Sequence, residues 1–232
     1  MKINLYVIYQ KSNCITVLCA FALLHSIAFA CDDRGLNLKQ QPAEWNVLFD
    51  GTSLEGWKAS ETPNVFSIID GDTLKVEGGR SHLFWEGKAA TPATFTDFEL
   101  SAKVKTTEHA NSGLFFHTKY QETGWPSHGY EAQVNTTHKD KRKTGSIYGV
   151  KDIEHDAPST DDEWFDYLIR VQGKSVTVLV NGAVVNVYNE PAGYAPQGGD
   201  QNRLIFSGTF AIQGHDPKSI TYYKDIKVRI LK

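Results

Sequence analysis

The run Gly129-Tyr130-Glu131-Ala132-Gln133-Val134-Asn135 alternates residue by residue between two kinds of side chain. Read with period 2, Tyr130, Ala132 and Val134 fall on one face of a strand, and Glu131, Gln133 and Asn135 on the other. Three successive polar positions on one face, one of them ionisable, make either a recognition surface or the wet side of a half-exposed antiparallel strand. The remainder of the chain bears on that choice.

Outward from this segment, short alternating or β-branched runs recur between Gly, Pro, Asn and Asp. Segments 65–69, 73–76, 98–104, 114–118, 130–134, 146–150, 167–172, 175–180, 183–188, 209–213 and 222–230 are expected strands. Asn181-Gly182 is the strongest hairpin signal, since both residues tolerate positive φ, and Asp70-Gly71-Asp72 acts similarly. No helical period is sustained, no blade-sized repeat is visible, and 191–199 is a Gly/Pro loop. The pattern predicts an all-β protein, a sandwich or closed barrel, with two facing sheets fitting the length better than a propeller. In such sandwiches one sheet commonly curves, and its concave outer face can hold a ligand.

Alternation proposes what lines that face. Phe115 and His117 lie opposite Leu114 and Phe116; Ala211, Gln213 and His215 lie opposite Phe210 and Ile212. If these strands neighbour the central one, two histidines, a glutamate, two glutamines and an asparagine converge.

The first thirty residues have the form of a signal segment. Lys2 and Lys11 precede an apolar run over 15–24, and Ala28-Phe29-Ala30 has the small-x-small pattern of a cleavage site. The run is too short to span a bilayer comfortably. The cysteines are Cys14, Cys19 and Cys31, so cleavage before Cys31 leaves one thiol at the new N-terminus and no internal disulfide. Ala-Phe-Ala-Cys resembles a lipobox with Ala28 where Leu is usual, so the expectation is export to the periplasm or cell surface, with Cys31 lipidated or the protein simply secreted. Residues 31–44 are a polar tether, and 45–232 form a single domain; roughly 200 residues suffice for one core and not for two ordinary ones. A net charge of −3 gives no nucleic-acid footprint, and Lys141-Arg142-Lys143 is expected at a solvated loop tip. Membrane contact is expected only through the N-terminal anchor; the sequence leaves oligomeric state open.

Several short motifs occur in order: Leu48-Phe49-Asp50-Gly51 with Gly56-Trp57, Asp97-Phe98-Glu99-Leu100, Asn111-Ser112-Gly113, Gly129 to Gln133, and Thr144 to Gly149. Glu163-Trp164, Val180-Asn181-Gly182, Ile212-Gln213-Gly214-His215 and Tyr223 to Val228 follow. Over nearly the whole expected domain, the chain resembles the 3-keto-disaccharide hydrolase domain family. The resemblance implies a concanavalin A-like jelly-roll sandwich of the lectin/glucanase type, and action on small carbohydrates whose C3 hydroxyl has become a ketone. A C3 ketone acidifies the C2 proton, so a base can start β-elimination of the C1 substituent, with or without readdition of water. That chemistry does not require the paired carboxylates of ordinary glycosidases. A carbohydrate-binding module and a structural surface lipoprotein are the alternatives, because fold does not settle function.

Within this frame Glu131 is the candidate base or orienting carboxylate, and His215 the candidate general acid. Gln133 and Gln213 suit sugar hydroxyls because an amide both donates and accepts. Asn111 is a candidate contact in a segment that also reads as a turn. His117 stands where the family more often has Arg. Trp125, before Pro126, is the candidate stacking platform; Trp85 has a loop-like setting, while Trp45, Trp57 and Trp164 read as core anchors. Tyr148 and Lys151 can close over a sugar. No cofactor is demanded; the loop Asp152 to Asp156 is oxygen-rich enough for Ca²⁺, but without a recognised ligand spacing it reads better as a solvated loop.

Overall fold

The structure, a computed structural model, describes residues 44–196 and 202–232. The expected signal segment, the Cys31 anchor and the tether as far as residue 43 lie outside the described residues. Among the described residues no helix is long and apolar enough to cross a membrane.

The strands in chain order are β1 (Trp45–Phe49), β2 (Trp57–Ala59), β3 (Phe66–Ile69), β4 (Thr73–Glu77), β5 (Ser81–Trp85), β6 (Phe98–Thr106) and β7 (Ser112–Thr118). They continue with β8 (Tyr130–Val134), β9 (Phe165–Gln172), β10 (Ser175–Val180), β11 (Ala183–Asn189), β12 (Thr209–Gly214) and β13 (Ile220–Ile230). All pairings are antiparallel. One sheet runs β11-β10-β9-β6-β13-β4-β3, with β1 added beside the far half of β13. The other runs β2-β5-β12-β7-β8. This is the expected all-β two-sheet jelly-roll sandwich.

Turn chemistry sets the hairpins. Asn181 and Gly182, at φ 49° and 77°, join β10 to β11, and Asp70 and Gly71, at 54° and 73°, join β3 to β4. Positive φ at both central residues is what a tight hairpin between right-twisted strands requires. Strand β13 changes partner halfway: Ile220–Tyr223 pairs with β4, and Ile226–Arg229 with β1. The register slip between Lys224 and Lys227, with Asp225 at φ 53°, is the bulge that permits the exchange.

The core lies between the sheets. Phe98, Leu100, Ala102 and Val104 of β6 and Tyr167, Ile169 and Val171 of β9 meet Leu114 and Phe116 of β7 and Tyr130, Ala132 and Val134 of β8. Rings of Phe95, Phe98, Phe116 and Phe210 pack at centroid distances of 4.6–6.4 Å, stacked or edge-to-face.

The two sheets differ in one respect that positions the site. In β6, β9, β10 and β13 burial alternates along the strand, as for a sheet wet on its outer face. In β5, β7, β8 and β12 every residue is buried. The outer face of the smaller sheet is therefore covered as well. This is why the pattern missed β5: Leu83-Phe84-Trp85 is apolar throughout because both faces are covered. Trp85 is correspondingly a core residue rather than a loop one, 1% exposed and donating from Nε1 to Pro92 O at 2.8 Å. The short strands β1 and β2 also lie outside the expected set. The expected strand over 146–150 is instead a set of turns in which Ile147 alone makes bridges, to Ala132 and Lys151. Gly145 and Gly149, at φ 90° and 69°, end any extended run there.

Candidate active site

Register places polar side chains in rows across the covered face of the smaller sheet. Glu131 lies opposite Phe115, Phe115 opposite Ala211, and Ala211 opposite Phe84. In the next row Gln133 lies opposite Gly113, and Gln213 opposite His82. Gly113 has no side chain, and the Glu131 side chain lies in the space over it: a Cβ at position 113 would sit 2.2 Å from Glu131 Oε1 and 2.8 Å from Cγ. Gly113→Ala is therefore expected to dislodge the carboxyl, lowering stability by about 1–3 kcal/mol together with activity. Urea midpoints and turnover check both.

A cleft of about 380 Å³ opens over these rows. Its floor includes Phe115, Glu131, Gln133 and Gln213; Trp125 and Ser127 line one part of it, Tyr148 and Arg203 another, and Asn111 and His215 also reach it. Glu131, 7% exposed, is the one carboxylate among the described residues lining the cleft. Gln213 Nε2 donates to its Oε1 at 2.9 Å. With the Gln133 amide turned so that its nitrogen faces Glu131, it donates to the same Oε1 at 2.9 Å and to Ser112 O at 3.3 Å. Burial pushes the Glu131 carboxyl up to about 8, against the Gln213 hydrogen bond and the Arg203 and Arg142 charges, which favour ionisation. Near neutral pH the group therefore keeps its proton. Because both amides donate to Oε1, that proton sits on Oε2.

His215 is held by a carboxylate of the opposite kind, one kept ionised. Its Nδ1 is 2.8 Å from Asp216 Oδ2. Burial works against the Asp216 charge, but donation from Ser219 Oγ, His215 and the Lys218 amide outweighs it and lowers the carboxyl to about 2. An ionised carboxylate only accepts, so His215 Nδ1 carries the hydrogen and the neutral ring keeps its lone pair on Nε2. The cleft thus holds a protonated carboxyl and an imidazole whose Nδ1 is engaged by Asp216. His138 stands beside them, its ring 5.5 Å from that of His215 and its Nε2 3.9 Å from Asp216 Oδ2. The three side chains place ligand-type atoms within 4.8 Å of one another. However, His138 Nδ1 accepts from Asp140 N at 3.1 Å, which puts the hydrogen of the neutral ring on Nε2, the nitrogen facing that group. The arrangement suits a hydrogen-bonded cluster better than a metal centre.

Other expected residues fall as follows. Asn111 bridges the cleft to this cluster, its side-chain amide 3.1 Å from the Gln133 amide and 3.2 Å from His138 Nδ1. Trp125 is 44% exposed and lies edge-on to His82 and tilted against His215. Tyr148 lines the cleft, its hydroxyl donating to Asp140 Oδ2 at 3.1 Å and its carbonyl accepting from Arg203 Nη2 at 2.6 Å. Asn135 is turned to loop building, its Nδ2 donating to Asp140 O and Arg142 O.

Three expectations need correction. His117 is not in the cleft: φ 53° breaks the alternation that would have set it beside Phe115. Its ring packs on Phe98 and Phe116, Nε2 donates to Thr96 O at 2.9 Å, and Phe206 N donates to Nδ1 at 3.3 Å. Gly129 and Gly208 press on this kink, where a Cβ would come within 2.1 Å of Phe116 O and 2.4 Å of His117 C. Lys151 also lies away from the cleft, because the turn at Gly149 sends its Nζ to Val187 O at 2.6 Å. The Asp152 to Asp156 loop does not gather its carboxylates into a calcium cage. Asp152 accepts from Arg142 Nε at 3.0 Å and Gly149 N at 2.8 Å, while Glu154 pairs with Lys141 at 2.6 Å. The basic triplet is thereby folded into its own loop rather than standing at a free tip, with Lys143 Nζ donating to His138 O.

Residues 44–229 match the 3-keto-α-glucoside-1,2-lyase-like domain family. The chain belongs to this family. No curated protein sequence matches it. Among solved structures, the lyase-like domain is similar to two Parabacteroides distasonis proteins provisionally named glycosyl hydrolases. One shares 20% identity at a TM-score of 0.66, covering 81% of this chain and 94% of the other. The second shares 23% at 0.63, covering 81% and 100%. A Bacillus licheniformis β-glucanase matches at 10% identity and a TM-score of 0.51, over 84% and 100% of the two chains. At such identities these matches establish the fold of the lyase-like domain, a glucanase-type jelly roll, and its family membership supports a carbohydrate-active role.

Proposed function

We propose that this protein cleaves glycosides bearing a ketone at C3, by β-elimination across C1 and C2. The carrying observation is the carboxyl that stands alone among the described residues lining the cleft, held protonated by burial, in a cleft that an imidazole also lines. Ordinary retaining or inverting glycosidases need two carboxyl groups flanking the bond. Elimination needs one base, one acid and donors for an enolate.

In this reading His215 Nε2 removes the C2 proton, and the C–H electron pair forms the enolate of the C3 ketone. Arg203, lining the same cleft, stabilises the enolate oxygen. Re-formation of the carbonyl expels the C1 oxygen, which takes the Glu131 proton. The products are an alcohol and a sugar with a C1=C2 double bond conjugated to the ketone. Addition of water at C1 would complete a net hydrolysis. Glu131 and His215 thus exchange the base and acid roles that the sequence suggested. We place the protein outside the cytoplasm, as its N-terminal segment suggests.

The test is incubation of the purified domain with 3-keto-trehalose and 3-keto-glucosides. Release of free alcohol or sugar, with growth of an enone absorbance, is the expected result. Binding of unoxidised glycans without turnover of any keto-sugar would favour a binding module instead.

A further inference from the structure

Beside the cleft, under Trp125, lies a histidine that the mechanism leaves unused. His82 of β5 faces the same side as Gln213, its neighbour across the ladder. It is fully buried, and neither Nδ1 nor Nε2 has a hydrogen-bond partner; Gln213 Oε1 is unpartnered too. Buried polar atoms are satisfied in the great majority of cases, so three orphans on adjacent strands call for an explanation. The ring is enclosed by aromatic groups, with Phe115 at 5.4 Å, Phe84 at 6.1 Å and Trp125 at 5.5 Å. Phe84 and Phe115 are strand residues held by the ladder. Trp125 lies on the loop after β7, 44% exposed, with Arg80 5.6 Å from its ring. It is the part of the enclosure that can move without breaking the sheet.

We propose that Trp125 covers a second sugar subsite, in which His82 and Gln213 Oε1 bind a hydroxyl of the ring that does not react. Burial lowers the His82 imidazole to about 4, so at neutral pH it is uncharged and offers one donor and one acceptor. A hydroxyl beside it can accept from one imidazole nitrogen and donate to the Gln213 carbonyl. Gln213 is then the shared wall: its Nε2 holds Glu131 and its Oε1 faces the second ring. Gln213 of β12 and His82 of β5 are ladder neighbours, roughly 5 Å apart, so the hydroxyl site adjoins the Glu131 carboxyl as the second ring of one disaccharide would. Turned outward, Trp125 presents an indole face to the second ring.

This inference rests on the 3-keto-glycoside reading, and two assays separate their failures. The first compares wild type with His82→Phe, which keeps an aromatic ring among aromatic neighbours, on a 3-keto-disaccharide and on methyl 3-keto-glucoside. A ten- to hundred-fold loss in kcat/KM on the disaccharide is expected, mostly through KM, with the methyl glycoside within about two-fold of wild type. Equal activity on both substrates, or equal loss on both, overturns the subsite. The second is calorimetric titration of wild type and His82→Phe with the unoxidised disaccharide, which needs no chemistry. If no keto-sugar is turned over, the reaction assignment fails, while weaker binding by His82→Phe still supports the subsite and unchanged or absent binding rejects it.

Discussion

Glu131→Gln is expected to lower kcat/KM on a 3-keto-disaccharide by about 10²–10⁴-fold, the usual worth of a positioned proton donor. The substitution keeps shape and hydrogen-bonding capacity on the cleft floor, so sugar affinity should change little. An opposite effect on stability accompanies the loss. The buried carboxyl has its pKa raised from 4.5 to about 8, so the folded state holds a proton that the unfolded chain releases. The stabilisation from that proton is complete below about pH 4.5 and is lost as pH rises through 8. Above that pH the wild type keeps a charge in a dry site, and Glu131→Gln removes it. The variant should gain stability on the order of a few kcal/mol at alkaline pH, read from urea midpoints, while losing its chemistry.

Asp216→Asn is the second large effect. Asp216 is 2.8 Å from His215 Nδ1 and itself accepts from Ser219 Oγ at 2.7 Å and Lys218 N at 2.9 Å. An asparagine that keeps its oxygen toward the Lys218 amide, a backbone donor that cannot turn away, puts its NH₂ at the Oδ2 position, facing both the imidazole and Ser219 Oγ, whose hydroxyl can accept instead. His215 Nδ1 then becomes the acceptor and Nε2 carries the hydrogen, so the base faces the substrate in the wrong tautomer. A comparable change beside a catalytic histidine costs about 10⁴-fold in kcat; we expect on the order of 10²–10⁴-fold here, with KM little changed. A fall in KM-dependent binding with kcat intact would make Asp216 a mere loop support.

The legibility of the site followed the alternation of its strands. Glu131, Gln133 and Gln213 were found because β8 and β12 are regular over those positions, and period 2 then fixes the face. His117 was misplaced by a single residue in the left-handed region, which nothing in Leu114-Phe115-Phe116-His117 announces. His82 was missed with its strand, since a segment covered on both faces loses the alternation used to find it. Asp216 carries a local signal. It follows His215 directly and begins Asp-Pro-Lys-Ser, the form of a turn in which the carboxylate caps the amide two residues on. Arg203 and His138 lie in connections without period, and their approach to the cleft depends on tertiary contacts alone. The hairpins and the two-sheet sandwich were legible because turn chemistry is local; the covering of the smaller sheet was not, because long loops fold over it.

The pH dependence of kcat/KM on a 3-keto-disaccharide tests the assignment of the buried carboxyl most directly. With Glu131 as proton donor, the wild-type rate falls as pH passes about 8 and Glu131 ionises. In Glu131→Gln the residual rate should lack that alkaline fall. A wild-type rate that climbs through pH 8, or an alkaline limb that survives in Glu131→Gln, would contradict the account.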